Sequence, residues 1–253
     1  MIENLNIHGH TATWTIDKGR VNAFGENEIE ELQDIESLCV SQKIRLLCLE
    51  SRKVSPRNYP IFCAGANLKE RQTWSIEKKL SHLKKQREIV HDLRRLPCIV
   101  SCFVDGKAIG LGVELCLAAD VVFASTKASF CLPEMSLGII PGAGGYTWAQ
   151  HWATHGEESV KWMHSGETIR RDRARYLGII RTLNGIGMTE DSLYVDPDEY
   201  DHAKSNLSAT LAPMSITDIQ KLKNRQWENI PFERLFSEEQ ERYHRALLNN
   251  NRS

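Results

Sequence analysis

Two glutamates stand where glutamates are costly. Glu114 lies in the run Ile109-Gly110-Leu111-Gly112-Val113-Glu114-Leu115-Cys116-Leu117-Ala118, and Glu134 lies between Phe130-Cys131-Leu132-Pro133 and Met135. A carboxylate in apolar surroundings is expensive unless it is paired or put to use. Burial moves its pKa toward neutrality, which suits general acid–base work. The competing reading is that each glutamate simply accepts hydrogen bonds from main-chain groups at a turn, and burial alone does not separate the two. Two segments of small residues offer backbone donors, Cys63-Ala64-Gly65-Ala66-Asn67 and Gly110-Leu111-Gly112. In the first, small side chains let a ligand approach the main chain. The second opens a helix, where free N–H groups and the helix dipole favour developing negative charge. Two such N–H groups converging would form an oxyanion hole; taken singly, either segment is a tight turn.

Other chemistries find less support. Gly110-Leu111-Gly112 starts like a dinucleotide fingerprint, but Leu115 occupies the third glycine position, and neither a phosphate-binding GxxxxGK[ST] loop nor a GxSxG elbow is present. His8 and His10 have no acidic or Cys neighbour in sequence and read as a surface pair, so no metal site is expected. The seven Cys residues include no CxxC pair and sit mostly in apolar runs, as reduced buried thiols in a reducing compartment do. Lys and Arg total 32 against 33 Asp and Glu, a net charge of −1 that argues against nucleic-acid binding by bulk charge. The basic run Lys78-Lys79, Lys84-Lys85, Arg87 and Arg94-Arg95 reads first as a solvated helix face, with contact to ligand phosphates or RNA as the alternatives. The most apolar stretch, Ala108 to Ala124, carries Glu114 and Asp120 and makes a poor membrane span. Met1 to Thr13 has no signal-peptide pattern, which points to the cytoplasm.

The elements that must position these groups alternate. Thr11 to Ile16 alternates as a strand does; Ile29, Leu32, Ile35 and Leu38 mark a helix face; Ile44 to Leu49 is an apolar run fitting a strand covered on both sides. Ser75 caps a long helix that ends at Pro97. Ile99 to Val104 is a strand, Asp105-Gly106 a turn, Ala108 to Ala119 a glycine-opened turn feeding a buried helix, and Asp120 to Ala124 a strand. This predicts an α/β architecture. Beyond Pro141 the pattern predicts helices over 160–163, 171–177, 203–211, 215–222 and 238–248, with no strand, and an acidic loop over 188–200. The division expected is a core over residues 1–190 and a helical portion over 191–253.

Three blocks then carry a family resemblance. Phe62-Cys63-Ala64-Gly65-Ala66-Asn67-Leu68-Lys69-Glu70 resembles the FCAGADLKE segment of the crotonase (enoyl-CoA hydratase/isomerase) superfamily. Val104 to Asp120 has the family's G-x-G-x-E-L-x-L-A-x-D pattern, and Phe130 to Gly145 its F-x-x-P-E-x-x-L-G-x-x-P-G-x-G-G pattern. Weaker echoes are Asn22-Ala23-Phe24 and the stretch from Ser165-Gly166-Glu167 to Leu177-Gly178, so the resemblance spans roughly residues 11–225. It implies a ClpP-like spiral of ββα units followed by helices that trimerise, giving a homotrimer or a dimer of trimers. It also implies an oxyanion hole from the N–H groups of Ala66 and Leu111. Glu114 and Glu134, 20 residues apart, would be the two catalytic carboxylates of a hydratase.

The expected substrate is an acyl-CoA thioester. Coenzyme A would enter as part of it, with no further cofactor, against Ala64, Gly65, Asn67, Leu68, Lys69 and Gly110, and with Lys18 and Arg20 near its phosphates. The resemblance implies reversible hydration of a 2-enoyl-CoA. Alternatives are an isomerase, or a hydratase or dehydratase of a specialised acyl-CoA of the methylglutaconyl type, which the run Leu68-Lys69-Glu70-Arg71 resembles, or a CoA-ester-binding protein without chemistry. Several positions depart from the pattern. Leu111 and Asn67 replace a usual Gly and Asp, Tyr146-Thr147-Trp148 replaces a common Thr-Gln-Arg, and Trp148, Trp152 and Trp162 make the region aromatic. Ser51 to Pro60 reads as an insertion, and a chain that stops at Ser253, short of the family's usual last helix, is expected either to be truncated or to have a more open CoA site.

Overall fold

The computed structural model describes residues 2–151, 153–227 and 231–250. Trp152 lies outside them. Strands β1 (Leu5–His8), β2 (Thr11–Thr15) and β3 (Ala23–Phe24) lead into helix α1 (Glu26–Ser41). Next come β4 (Leu46–Glu50), β5 (Ile61–Cys63), β6 (Gly65–Ala66) and helices α2 (Leu68–Arg71) and α3 (Ile76–Arg95). The following turn of chain is β7 (Ile99–Val104), β8 (Lys107–Ile109) and α4 (Leu111–Ala118); the one after is β9 (Val121–Ala124), β10 (Ser129–Cys131), a 3₁₀ turn at Glu134–Leu137 and α5 (Gly145–His151).

Pairing shows why this is a spiral. One sheet has the order β1-β2-β4-β7-β9 and is parallel from β2 onward; a second has the order β11-β10-β8-β5, where β11 is Ile169–Arg170. The coils that begin at β4, β7 and β9 each give a first strand to one sheet and a second to the other before a helix, while β3 of the first coil pairs with β6. The apolar runs explain the burial: every residue of β4, β7 and α4 is buried, as central parallel strands and an enclosed helix require. The mixed α/β spiral implied by the family resemblance is thus present.

The helical remainder is α6 (Gly156–Ser165), α7 (Arg171–Tyr176), α8 (Tyr200–Leu211), α9 (Ile216–Trp227) and α10 (Phe232–Asn250). Lys223 of α9 is buried against Asp120, 2.8 Å away, and also donates to Cys98 O, which ties this portion to the strand entry at β9. Among the described residues no helix is long and apolar enough to cross a membrane.

Three expectations need correction. A strand does exist beyond Pro141, since β11 pairs antiparallel with β10; two residues leave no periodic trace. The run 188–200 is not all loop, because Asp191–Leu193 forms a 3₁₀ turn. The basic face of α3 is solvated only in part. Lys78 and Lys85 reach Glu26 and Glu30 of α1, but Arg87 and Arg94 are buried.

Candidate active site

The second strand of each coil ends where a turn is tight, and two of these turns meet. Gly65 has φ +89°, and a Cβ there would sit 2.7 Å from Ile109 O, so only glycine lets the β6 turn lie against the end of β8. Asn67 N donates to Phe24 O, which holds β6 on β3. Alternation along the strand then turns the N–H of Ala66 away from β3. Leu111 is the first residue of α4, where a helix has no internal acceptor for its N–H. Asn22 braces this arrangement from below: its buried amide donates to Ile16 O, Ser51 Oγ and Phe62 O.

Ala66 and Leu111 line one small cavity with Glu114 and Glu134. Its volume is about 80 Å³, enough to admit water. Leu83, Ile139, Ile140, Arg71 and Tyr243 complete the walls. Leu68 and Leu137, at 52% and 51% exposure, stand at its open side. A larger cleft of about 740 Å³ lies elsewhere, beside Trp148, Arg175 and Tyr194, and holds neither carboxyl nor either turn.

The two glutamates are held differently. Glu114 Oε1 accepts from Ala143 N at 2.7 Å and Gly145 N at 3.0 Å. So Glu114 satisfies both sequence readings at once: it bonds a main-chain turn and faces a cavity. Burial, and then the negative charge of Glu239, push its pKa up to about 7, against the pull of the two amides. Glu134 sits on the 3₁₀ turn, and a Cβ on Gly110 (φ +53°) would lie 2.6 Å from its Oε1. Its Oε2 is buried with no hydrogen-bond partner among the described residues. Burial, and then Glu114, push its pKa up to about 8. Two neighbouring amides favour the ionised form of Glu114, while Glu134 has only its own backbone N–H to do so.

The expected coenzyme-binding residues divide. Ala64, Gly65, Leu68 and Gly110 line the cavity. Asn67 caps α2 through Glu70 N, and its amide donates to Glu70 Oε2, so its side chain serves the turn. Lys69 and Arg20 are exposed outside the cavity walls. Lys18 is engaged by Glu31 at 2.6 Å and Glu3 at 3.5 Å, so its charge is already matched.

Four residues near the site were not singled out as site residues from the sequence. Arg71 ends α2, contacts Gln86 Oε1 and His82 Nδ1, and buries an Nε with no partner among the described residues. Its place after Leu68-Lys69-Glu70 was the available signal. Tyr243 and Glu239 come from α10, where Ser237-Glu238-Glu239-Gln240-Glu241 looks solvated. Arg87 lay in the run read as a surface face; its Nε donates to Gly142 O at 2.8 Å. The site expected to be open for want of a last helix thus has a wall from Tyr243.

The enoyl-CoA hydratase/isomerase family model matches residues 9–185. The enoyl-CoA isomerase/hydratase fer4 of Mycosarcoma maydis is 36% identical over 124 residues, 49% of this chain and 45% of that protein. The mitochondrial methylglutaconyl-CoA hydratase of Homo sapiens is 36% identical over 125 residues, 49% of this chain and 35% of the relative. The matched stretch thus spans less than half the length of these curated relatives. In structure, Pseudomonas aeruginosa DspI superposes with TM-score 0.76 at 24% identity, covering 94% of this chain and 92% of DspI. The enoyl-CoA hydratase of Thermoplasma volcanium gives 0.73 at 19%, covering 97% and 91%. These likenesses show the fold.

Proposed function

The chain belongs to the enoyl-CoA hydratase/isomerase family, and from that premise we propose that it adds water reversibly to a 2-enoyl-CoA thioester. The observation that carries this reading is the meeting of two carboxyls, Glu114 and Glu134, in one cavity with the Ala66 and Leu111 turns. The thioester oxygen accepts hydrogen bonds from the N–H groups of Ala66 and Leu111. Negative charge grows on it as the β-carbon is attacked, so these donors act most in the transition state. Glu114, ionised first, takes a proton from water as the oxygen bonds to the β-carbon. Glu134, still protonated, delivers a proton to the α-carbon. The pair ends with its one proton exchanged, and solvent or a reverse turnover restores it. No group beyond the substrate's own coenzyme A is needed.

Hydration of crotonyl-CoA, followed by loss of the conjugated thioester's ultraviolet absorbance, tests this. Glu114→Gln and Glu134→Gln should each lose on the order of 10²- to 10⁴-fold in kcat, the usual worth of a positioned acid or base. Wild type that binds CoA esters without turnover would sink the hydratase reading.

One observation favours a second reading, an acyl group with a negative or accepting far end. Arg71 brings a guanidinium to the cavity with Nε unpartnered among the described residues, and such a group rewards an acceptor within hydrogen-bond reach. Methylglutaconyl-CoA is the natural comparison, given the relative of that name. A kcat/KM ratio favouring it over crotonyl-CoA, lost in Arg71→Met, supports this reading; an unchanged ratio rejects it. We further propose a cytoplasmic homotrimer or dimer of trimers. The free thiols, six of them buried, suit a reducing compartment.

A further inference from the structure

Glu114 is not the only carboxylate on its turn. Four donors of the segment Ala143–Thr147 are shared between two glutamates. Ala143 N and Gly145 N go to Glu114, and Gly144 N and Thr147 N go to Glu239, at 2.8 and 2.9 Å for the latter pair. Thr147 Oγ1 also donates to Glu239 Oε2, at 2.5 Å. Glu239 is 1% exposed and comes from α10, 92 residues after Thr147. Both its oxygens receive N–H or O–H donors, which favour the ionised form against the burial that pushes its pKa up. Arg87 Nε lies 3.7 Å from it and donates to Gly142 O, the residue just before the shared segment. Gly145 and Thr147 belong to the first turn of α5, whose amides have no acceptor inside the helix. Two buried carboxylates therefore anchor one helix start, and one of them faces the substrate cavity.

We propose that Glu239 is a positioning residue for Glu114, acting through the backbone segment 142–147 that the two carboxylates hold by alternate amides. Glu239 fixes where the amides of Ala143 and Gly145 point, and those amides fix Glu114 Oε1. The same contact makes docking of α10 a condition for a well-aimed base. Glu239 also adds a negative charge beside Glu114, which raises its proton affinity. The other charged or titratable groups around Glu114 are Glu134 on the 3₁₀ turn, Arg71 on α2, Arg87 and Arg94 on α3, and Tyr243 on α10.

This inference rests on the hydratase reading for its kinetic arm and is independent of it for its spectroscopic arm. In Glu239→Gln, which keeps the shape and loses the charge, kcat on crotonyl-CoA should fall about ten- to a hundredfold, the cost of misplacing a reacting group by about an ångström, with KM little changed. The acidic limb of the kcat/KM profile should move to lower pH. Glu239→Asp, which keeps the charge, should restore that limb while leaving kcat low. Independently of turnover, the infrared carboxyl band that disappears in Glu114→Gln should titrate near 7 in wild type and at lower pH in Glu239→Gln. Thr147→Val, a milder change that removes one bond, should lower kcat several-fold and serves if Glu239→Gln does not fold. Lowered melting temperature in both variants with kcat, pH limb and carboxyl titration unchanged overturns the proposal and leaves Glu239 a structural anchor. A shifted titration with no hydration by any variant or by wild type sustains the proposal and rejects the hydratase reading.

Discussion

At the scale of single residues, the two cavity glutamates set opposite limits on pH. In the proposed hydration Glu114 must be ionised and Glu134 protonated, and their pKa values rise to about 7 and about 8. The kcat/KM of hydration should therefore trace a narrow bell, climbing through the first value and falling through the second, with both limbs belonging to the coupled pair. A flat profile between pH 6 and 9 would contradict it. Stability runs the other way. Both groups bind protons more tightly folded than unfolded, so their contribution is full below about 4.5 and is lost as pH rises through about 7 and about 8. Glu134→Gln should accordingly melt higher than wild type at pH 9 and nearly with it at pH 4. Both glutamates were legible in the sequence because a charged residue inside an apolar run stands out. Glu239 was not, because its neighbours in sequence are solvated and its partners lie 92 and 95 residues away.

At the scale of elements, α1 and α3 show how a legible helix hides its awkward residue. The apolar stripe Ile29, Leu32, Ile35 faces inward as its spacing predicts, but Glu36 goes in with it at 7% exposure. Burial, and then Asp92, push its pKa up to about 9, and its Oε1 has no partner among the described residues. At neutral pH the fold must protonate it, which over the interval from 4.5 to 7 costs roughly 1.4 kcal/mol per unit. Glu36→Gln should thus stabilise the protein by about 3–4 kcal/mol at pH 7 in urea unfolding, with a gap that widens toward pH 9 and closes below pH 5. A gap that does not vary with pH would show that Glu36 is ionised in the fold. The long helices and the five-residue strands were readable from periodicity and from Ser75, whose hydroxyl does accept from Lys78 N. The two- and three-residue strands β3, β5, β6, β8 and β10 were not, since a period needs more residues than they have. The family resemblance implied ββα units but did not say which residues these strands take.

At the scale of the whole molecule, many polar contacts join the spiral to the helical portion, and among them Lys223 with Asp120 is deeply buried, at 2% and 0% exposure. Asp120 also accepts from Val100 N at 2.8 Å, so one carboxylate ties α9, β7 and the entry to β9. Asp120→Ala leaves an ammonium uncompensated and should cost about 3–5 kcal/mol in chemical denaturation; a loss under 1 kcal/mol would mean the pair is dispensable. The alternation of strands and helices foretold an α/β molecule. It did not foretell which coil touches which, because that depends on contacts such as Gly65 against Ile109 that no local pattern encodes.

That contact has a further consequence. The groups proposed to polarise the thioester are peptide N–H groups at the ends of successive coils, and every residue except proline carries one. Substitution of the side chain at Ala66 or Leu111 leaves them in place, whereas a single codon change erases Glu114 or Glu134. A lineage built on this frame keeps its grip on thioesters while its proton-transfer groups are gained, lost and replaced. Diversity of reaction is then the ordinary outcome of drift in such a scaffold, and constancy of the activated bond is what the coil geometry hands down.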